Sequence, residues 1–176
     1  IIGVICAAYF IYIGQKDDCP VASTNNQTSY LFPDPLHTTY NMELYLDINT
    51  RTLYGSTEID TMNTCGKTLE ELCFTAYPNA FRNKSETPAP DDAYYCGFNE
   101  GWLNIDSLKV NGNKVEYQEE GVLIRALLPA ALLPDKSIKV EMVWKAKIPK
   151  LAYRYGSRAG VYMLGNFYPT LNVLSE

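Results

Sequence analysis

The sequence predicts an all-β fold, an antiparallel β-sandwich (saddle-like) preceded by a hydrophobic N-terminal helix, on three observations. Apolar and polar residues alternate over several stretches, the period-2 pattern of a strand with one buried face. Turn residues separate those stretches at short intervals. No segment between 38 and 149 keeps an apolar stripe at helical spacing for three turns, so helices are expected to be minor. The 176 residues suffice for one domain with a sizeable core, since domains commonly run about 100–200 residues.

The first fourteen residues, Ile1 to Gly14, carry no charge. As a helix they would cover about 21 Å of a hydrocarbon core about 30 Å thick. The chain begins with Ile rather than Met, so residues 1–14 are expected to be a truncated transmembrane anchor or signal segment, with a buried core helix as a third reading. The apolar run ends in Tyr12-Ile13-Gly14-Gln15 without a small-residue cleavage site, which favours an uncleaved membrane anchor. Cys6 follows Ile5 and precedes further apolar residues, unlike a lipoprotein cysteine. Residues 15–37 are polar and turn-rich and read as a linker lifting the domain off the membrane. The expected location is extracytoplasmic, at the cell surface.

The sandwich domain is expected over 38–176. Tyr40, Met42, Leu44, Leu46 and Ile48 alternate as a first strand, and Leu53 to Met62 returns as a second after turn chemistry at 49–52. Gly55 inside that strand marks a bulge or a close backbone approach. Leu69, Leu72, Phe74 and Tyr77 form a third apolar segment, followed over 81–101 by an insertion rich in charge and proline that reads as a surface loop. Asn111-Gly112 between Leu103–Val110 and Val115–Tyr117 is a strong hairpin signal. Val122, Ile124, Ala126 and Leu128 alternate, Pro129 to Asp135 is expected to turn the chain, and Ile138 to Ile148 forms the last long strand.

Chemistry-bearing patterns are sparse. The formal net charge of -5 and the lack of a basic run exclude a nucleic-acid partner. His37, the one histidine, lies in the linker and reads as a surface residue. There is therefore no H-E-x-x-H helix and no histidine-based triad. The glycines form no phosphate-binding loop. Glu70-Glu71, Asp91-Asp92 and Glu119-Glu120 are adjacent, which in a strand sends them to opposite faces and in a loop leaves them solvated. Cys19, Cys65, Cys73 and Cys96 are widely spaced, unlike a zinc knuckle; Cys65 and Cys73 either bridge across a hairpin or remain free thiols. Asn26-Gln27-Thr28 and Asn83-Lys84-Ser85 match the N-glycosylation sequon, which matters only in a eukaryotic secretory pathway. The aromatic-rich stretch 153–169 is either interface or core.

From about Thr38 onward the chain resembles the N-terminal domain of the aminopeptidase N family of gluzincin metallopeptidases. The resemblance is carried by Tyr40 to Gly55 (YNMELYLDINTRTLYG), Asn63, Leu72 to Arg82 (LCFTAYPNAFR), Val110-Asn111-Gly112, Trp144 and Ile148-Pro149, in that order. Gly165 to Pro169 (GNFYP) is similar to the point where the family's chain leaves this domain for a thermolysin-like catalytic domain. The resemblance implies that residues 150–176 lead into that domain as the partner, that zinc and its ligands lie there and not in this segment, and that peptides are the parent enzyme's substrates. It also implies a substrate-proximal role for Asn166, although many relatives carry glutamine at the equivalent position. No catalytic or metal-binding residue is expected in the segment itself. The alternative function is a free-standing extracytoplasmic binding or adhesion module on a membrane tether.

Overall fold

The computed structural model describes residues 38–172 together with a short strand at Gly3–Ile5. The rest of the expected anchor and the linker over 15–37, with His37, Asn26 and Cys19, lie outside the described residues. The strands are β1 (Gly3–Ile5), β2 (Thr39–Asp47), β3 (Thr52–Met62), β4 (Leu69–Thr75), β5 (Trp102–Val110), β6 (Asn113–Lys114), β7 (Tyr117–Glu120), β8 (Leu123–Leu132), β9 (Ser137–Lys147), β10 (Tyr155–Arg158), β11 (Val161–Leu164) and β12 (Thr170–Leu171). Two single-turn 3-10 helices, Tyr77–Phe81 and Asp91–Ala93, are the only helical pieces among the described residues. No helix among them is long and apolar enough to cross a membrane. Gly3–Ile5 pairs antiparallel with β2 at the edge of the larger sheet, and the rest of the expected N-terminal helix falls outside the described residues.

The strands form a six-stranded antiparallel sheet in the order β1-β2-β3-β9-β5-β6, a four-stranded one in the order β12-β4-β8-β7, and the separate hairpin β10-β11. The chain changes sheet between β3 and β4, returns from β4 to β5, and crosses twice more before β9. Such interleaving forces the apolar faces of the two sheets together. One core cluster accordingly joins Leu53, Ile59, Leu103, Val140 and Trp144 of the larger sheet to Leu72, Phe74, Ile124 and Ala126 of the smaller.

The alternation expected for β2, β3 and β9 is realised as alternating burial along each strand. Ile48, placed on the buried face by periodicity, falls past the end of β2 and is 65% exposed. Gly55 meets the close-approach expectation: it pairs with Trp144 across β3 and β9, and a Cβ on it would overlap Cζ2 and Cε2 of the indole. The same ring donates its Nε1 hydrogen to Thr57 Oγ1 at 2.8 Å. Asn111 and Gly112, with φ of 48° and 79°, make the turn between β5 and β6, as a two-residue hairpin requires.

Two expectations fail for physical reasons. Pro129 does not begin the turn before β9 but lies inside β8. The pairing of β8 with β4 jumps from Glu71↔Leu127 to Leu69↔Leu132, and this bulge takes the proline out of the ladder, where its missing N–H leaves no bond unmade. The insertion over 81–101 is not simply a surface loop, because Phe81, Ala89 and Tyr94 are buried. Phe81 packs its ring against Tyr155 at 5.6 Å and Tyr153 at 6.3 Å, and Tyr95 donates to the carbonyl of Ser157 at 2.9 Å. The insertion is thus pinned over the segment that leads into β10.

Candidate functional site

The one residue for which the sequence suggests contact with a ligand, Asn166, sits in the turn between β11 and β12. Its φ of 55° is left-handed, a conformation asparagine tolerates better than most side chains, and the residue is exposed. The backbone alone therefore gives a reason for asparagine at this position.

What the sequence did not reveal is how firmly the turn is held. On its N-terminal side the Gly165 N–H donates to Arg154 O at 2.8 Å. On its C-terminal side Phe167 packs against Trp144 (centroids 6.2 Å apart) and against Tyr168 (5.1 Å), and Tyr168 meets Tyr40 edge to face at 5.5 Å. Pro169 is buried. Tyr40 Oη then accepts the Leu171 N–H at 2.8 Å, and β12 joins the smaller sheet through Thr170↔Thr75 and Leu171↔Phe74. Beyond β12 the Asn172 N–H donates to Cys73 O at 2.9 Å, and Thr75 Oγ1 donates to Asn172 Oδ1 at 2.7 Å. The aromatic-rich stretch is thus chiefly core: Tyr155 is fully buried, while Tyr162, Phe167 and Tyr168 are half-buried against the main cluster.

A second polar cluster, also missed, holds the segment LCFTAYPNAFR. Buried Asn79 accepts the Leu103 N–H (2.7 Å) and Arg82 Nε–H (3.1 Å) at Oδ1. The Arg82 guanidinium donates further to Leu103 O and Asn104 Oδ1 and pairs with Glu119 at 2.6 Å, so it ties β5 of one sheet to β7 of the other. Its only sequence signal is an Asn-x-x-Arg spacing without periodicity.

None of these groups is arranged for acid–base or nucleophilic work. Burial pushes the hydroxyls of Tyr155 and Tyr40 above their ordinary range, the Leu171 N–H partly opposing this at Tyr40. Burial, reinforced by Glu71, also raises the Cys73 thiol, and a protonated thiol is a poor nucleophile. Cys65, Cys73 and Cys96 are free thiols, which decides the question of a Cys65–Cys73 bridge in favour of the unbridged state. Within the carboxylate pairs, Glu71 holds Arg125 at 2.9 Å and Glu119 holds Arg82, while Asp91 faces Lys84 at 3.8 Å. Among the described residues no three His, Cys, Asp or Glu side chains converge as metal ligands, so these residues do not fit a zinc site. A cavity of about 280 Å³ opens at one end of the two sheets, lined by Tyr40, Met62, Leu69, Leu72, Leu132 and Leu171 among others. Its walls are mainly apolar and carry no carboxylate, as expected of a gap between sheet ends.

Comparison with solved structures places this architecture. An M1 zinc metallopeptidase from Deinococcus radiodurans superposes at a TM-score of 0.51 over 74% of the chain, with 14% identity. The fold is that of an M1 metallopeptidase domain. A variant of the same metallopeptidase bound to the substrate Tyr-Ser-Ala aligns equally, at 0.51, 74% and 14%. A two-domain M1 zinc metallopeptidase bound to L-tryptophan aligns over 62% of the chain at 12% identity and a TM-score of 0.43. The chain spans 27% of the length of the Deinococcus metallopeptidase and 19% of the two-domain one. No protein-family model and no curated protein matches the sequence. The M1 likeness is therefore one of fold, in agreement with the resemblance drawn from ordered sequence motifs.

Proposed function

We propose that this chain is the non-catalytic N-terminal domain of a membrane-anchored, aminopeptidase-type zinc metallopeptidase, packing on a catalytic domain supplied by the parent protein and closing one side of its substrate cleft. The observation that carries the proposal is the M1 metallopeptidase fold over 74% of the chain, spanning just over a quarter of that enzyme. One further feature of the molecule supports it. The turn at Gly165-Asn166 is braced by both sheets, which suits a residue that must hold a fixed place at the rim of a cleft.

In the parent enzyme zinc would supply Lewis-acid activation of water. The part of this chain is positional: Asn166 presents its side-chain carbonyl to the ammonium at the substrate's amino terminus. A hydrogen bond to a charged group contributes about 1.5–3 kcal/mol, so Asn166→Ala in the full-length enzyme is expected to lower kcat/KM for an unblocked peptide by about 10–100-fold. Zinc content should stay unchanged. An unaltered kcat/KM would remove Asn166 from the substrate site. The domain assignment has its own test, the parent sequence beyond Glu176. It should contain H-E-x-x-H with a glutamate roughly twenty residues later, the two-histidine, one-glutamate zinc set. A chain that stops without that motif and folds as a stable monomer would favour the adhesion module.

A further inference from the structure

We infer that Asn83 is an N-glycosylation site, carrying an oligosaccharide on its side-chain amide; the inference rests on the extracytoplasmic location expected from the sequence. The sequon Asn83-Lys84-Ser85 lies in the 81–101 insertion, and the structure separates its surroundings sharply into anchor and tip. Phe81 is buried and Arg82 is held by Asn79, Asn104, Leu103 O and Glu119. From the next residue the chain turns outward, and Asn83, Lys84, Ser85 and Glu86 are all exposed. The carbonyl of Asn83 accepts the N–H groups of Glu86 (3.2 Å) and Thr87 (3.1 Å), so the sequon forms one compact surface turn with acceptor amide and +2 hydroxyl both open to solvent.

The chemistry balances without an external oxidant. Asn83 Nδ2 bonds to C1 of the reducing-end sugar of a polyisoprenyl-diphosphate oligosaccharide, the C1–O bond to the diphosphate breaks, and one amide proton is lost. The amide keeps its second hydrogen, so the single exposed bond that Nδ2 makes, to Glu86 Oε2 at 3.0 Å, survives modification. Asn63-Thr64-Cys65, a cysteine variant of the sequon, is the internal contrast. There the residue is 3% exposed and Nδ2 donates to both Lys67 O (2.7 Å) and Leu132 O (2.9 Å). A sugar at that position would break a buried network, so folded chains are expected to be bare at Asn63.

The experiment is expression of the full-length chain in cultured eukaryotic cells with a reporter sequon appended at its C-terminus, followed by amidase release of glycans and peptide mass analysis. The expected result is a glycan on Asn83 and on the reporter, none on Asn63, and loss of one glycan in Asn83→Gln and in Ser85→Ala, with Ser85→Thr retaining it. A modified reporter with bare Asn83 overturns the inference and leaves the extracytoplasmic placement standing. A bare reporter shows that the chain was not translocated and overturns both.

Discussion

Replacing Gly55 by alanine adds one methyl group where the backbone lies against a buried indole. Its Cβ would lie 2.7 Å from Cη2 of Trp144 and overlap two further ring atoms, so the indole must move. Trp144 is 1% exposed and fixed by its bond to Thr57, itself 1% exposed, so the ring cannot tilt without losing a buried hydrogen bond. Overpacking of this kind costs about 1–3 kcal/mol. The weakened Nε1–Oγ1 bond adds about 1 kcal/mol. Removing a glycine from a strand interior returns about 0.5–1 kcal/mol. The net expectation is a loss of about 1–3 kcal/mol, or about 2–12 °C in thermal midpoint for a chain of this size. Thermal unfolding followed by near-ultraviolet circular dichroism reads both the midpoint and the indole environment. The decisive control is a Trp144→Leu background, in which the clash is gone and Gly55→Ala should be neutral or mildly stabilising. An unchanged midpoint in the native background, or the same loss in both backgrounds, would refute the close-approach account of this glycine.

Other perturbations probe different interactions. Asn79→Ala strips the acceptor from the Leu103 N–H and Arg82 Nε inside the molecule and should cost about 2–4 kcal/mol in urea unfolding, with Asn79→Asp recovering part of it. Asn111→Ala loses both its left-handed tolerance and the acceptor of the Lys139 N–H, for about 1–2 kcal/mol, whereas Asn111→Gly should lose less. Asp47 is held below its ordinary value of 3.8 chiefly by the Thr50 hydroxyl, with the Asn49 and Thr50 N–H groups adding to the effect. A depressed carboxyl stabilises the fold above its unfolded value and loses that stability as pH falls through the folded one. The thermal midpoint should therefore decline as pH drops through and below the carboxylate range, and Asp47→Asn should make that decline shallower.

Legibility in the sequence followed how local the cause was. β2, β3 and β9 were visible because each alternates on its own, and the Asn111-Gly112 turn because its backbone demands those residues. Pro129 was misplaced because a bulge depends on the partner strand: only the offset against Leu69 and Glu71 makes room for it. Phe81 and Tyr94 were hidden in a polar stretch because residues some sixty to seventy-five positions away, among them Tyr153, Tyr155 and Ser157, cover that insertion. β5 carries a similar concealment at Asp106, the extra residue between Ile105↔Trp144 and Ser107↔Val143, which shifts the phase of the strand halfway along. Asn166 was singled out only by family resemblance, and nothing in local pattern distinguishes it from a turn asparagine. The bracing around it joins residues more than a hundred positions apart, such as Tyr40 and Tyr168.

That bracing has a mechanical consequence. The rings of Tyr40, Tyr168, Phe167 and Trp144 lead from the first strand of the domain to its central one, and β12 fastens the same stretch to the opposite sheet. A load applied at Asn172 is therefore shared by both layers before any strand can peel away. This end of the domain behaves as a stiff bracket rather than a string, with Asn172 held in orientation as well as in place.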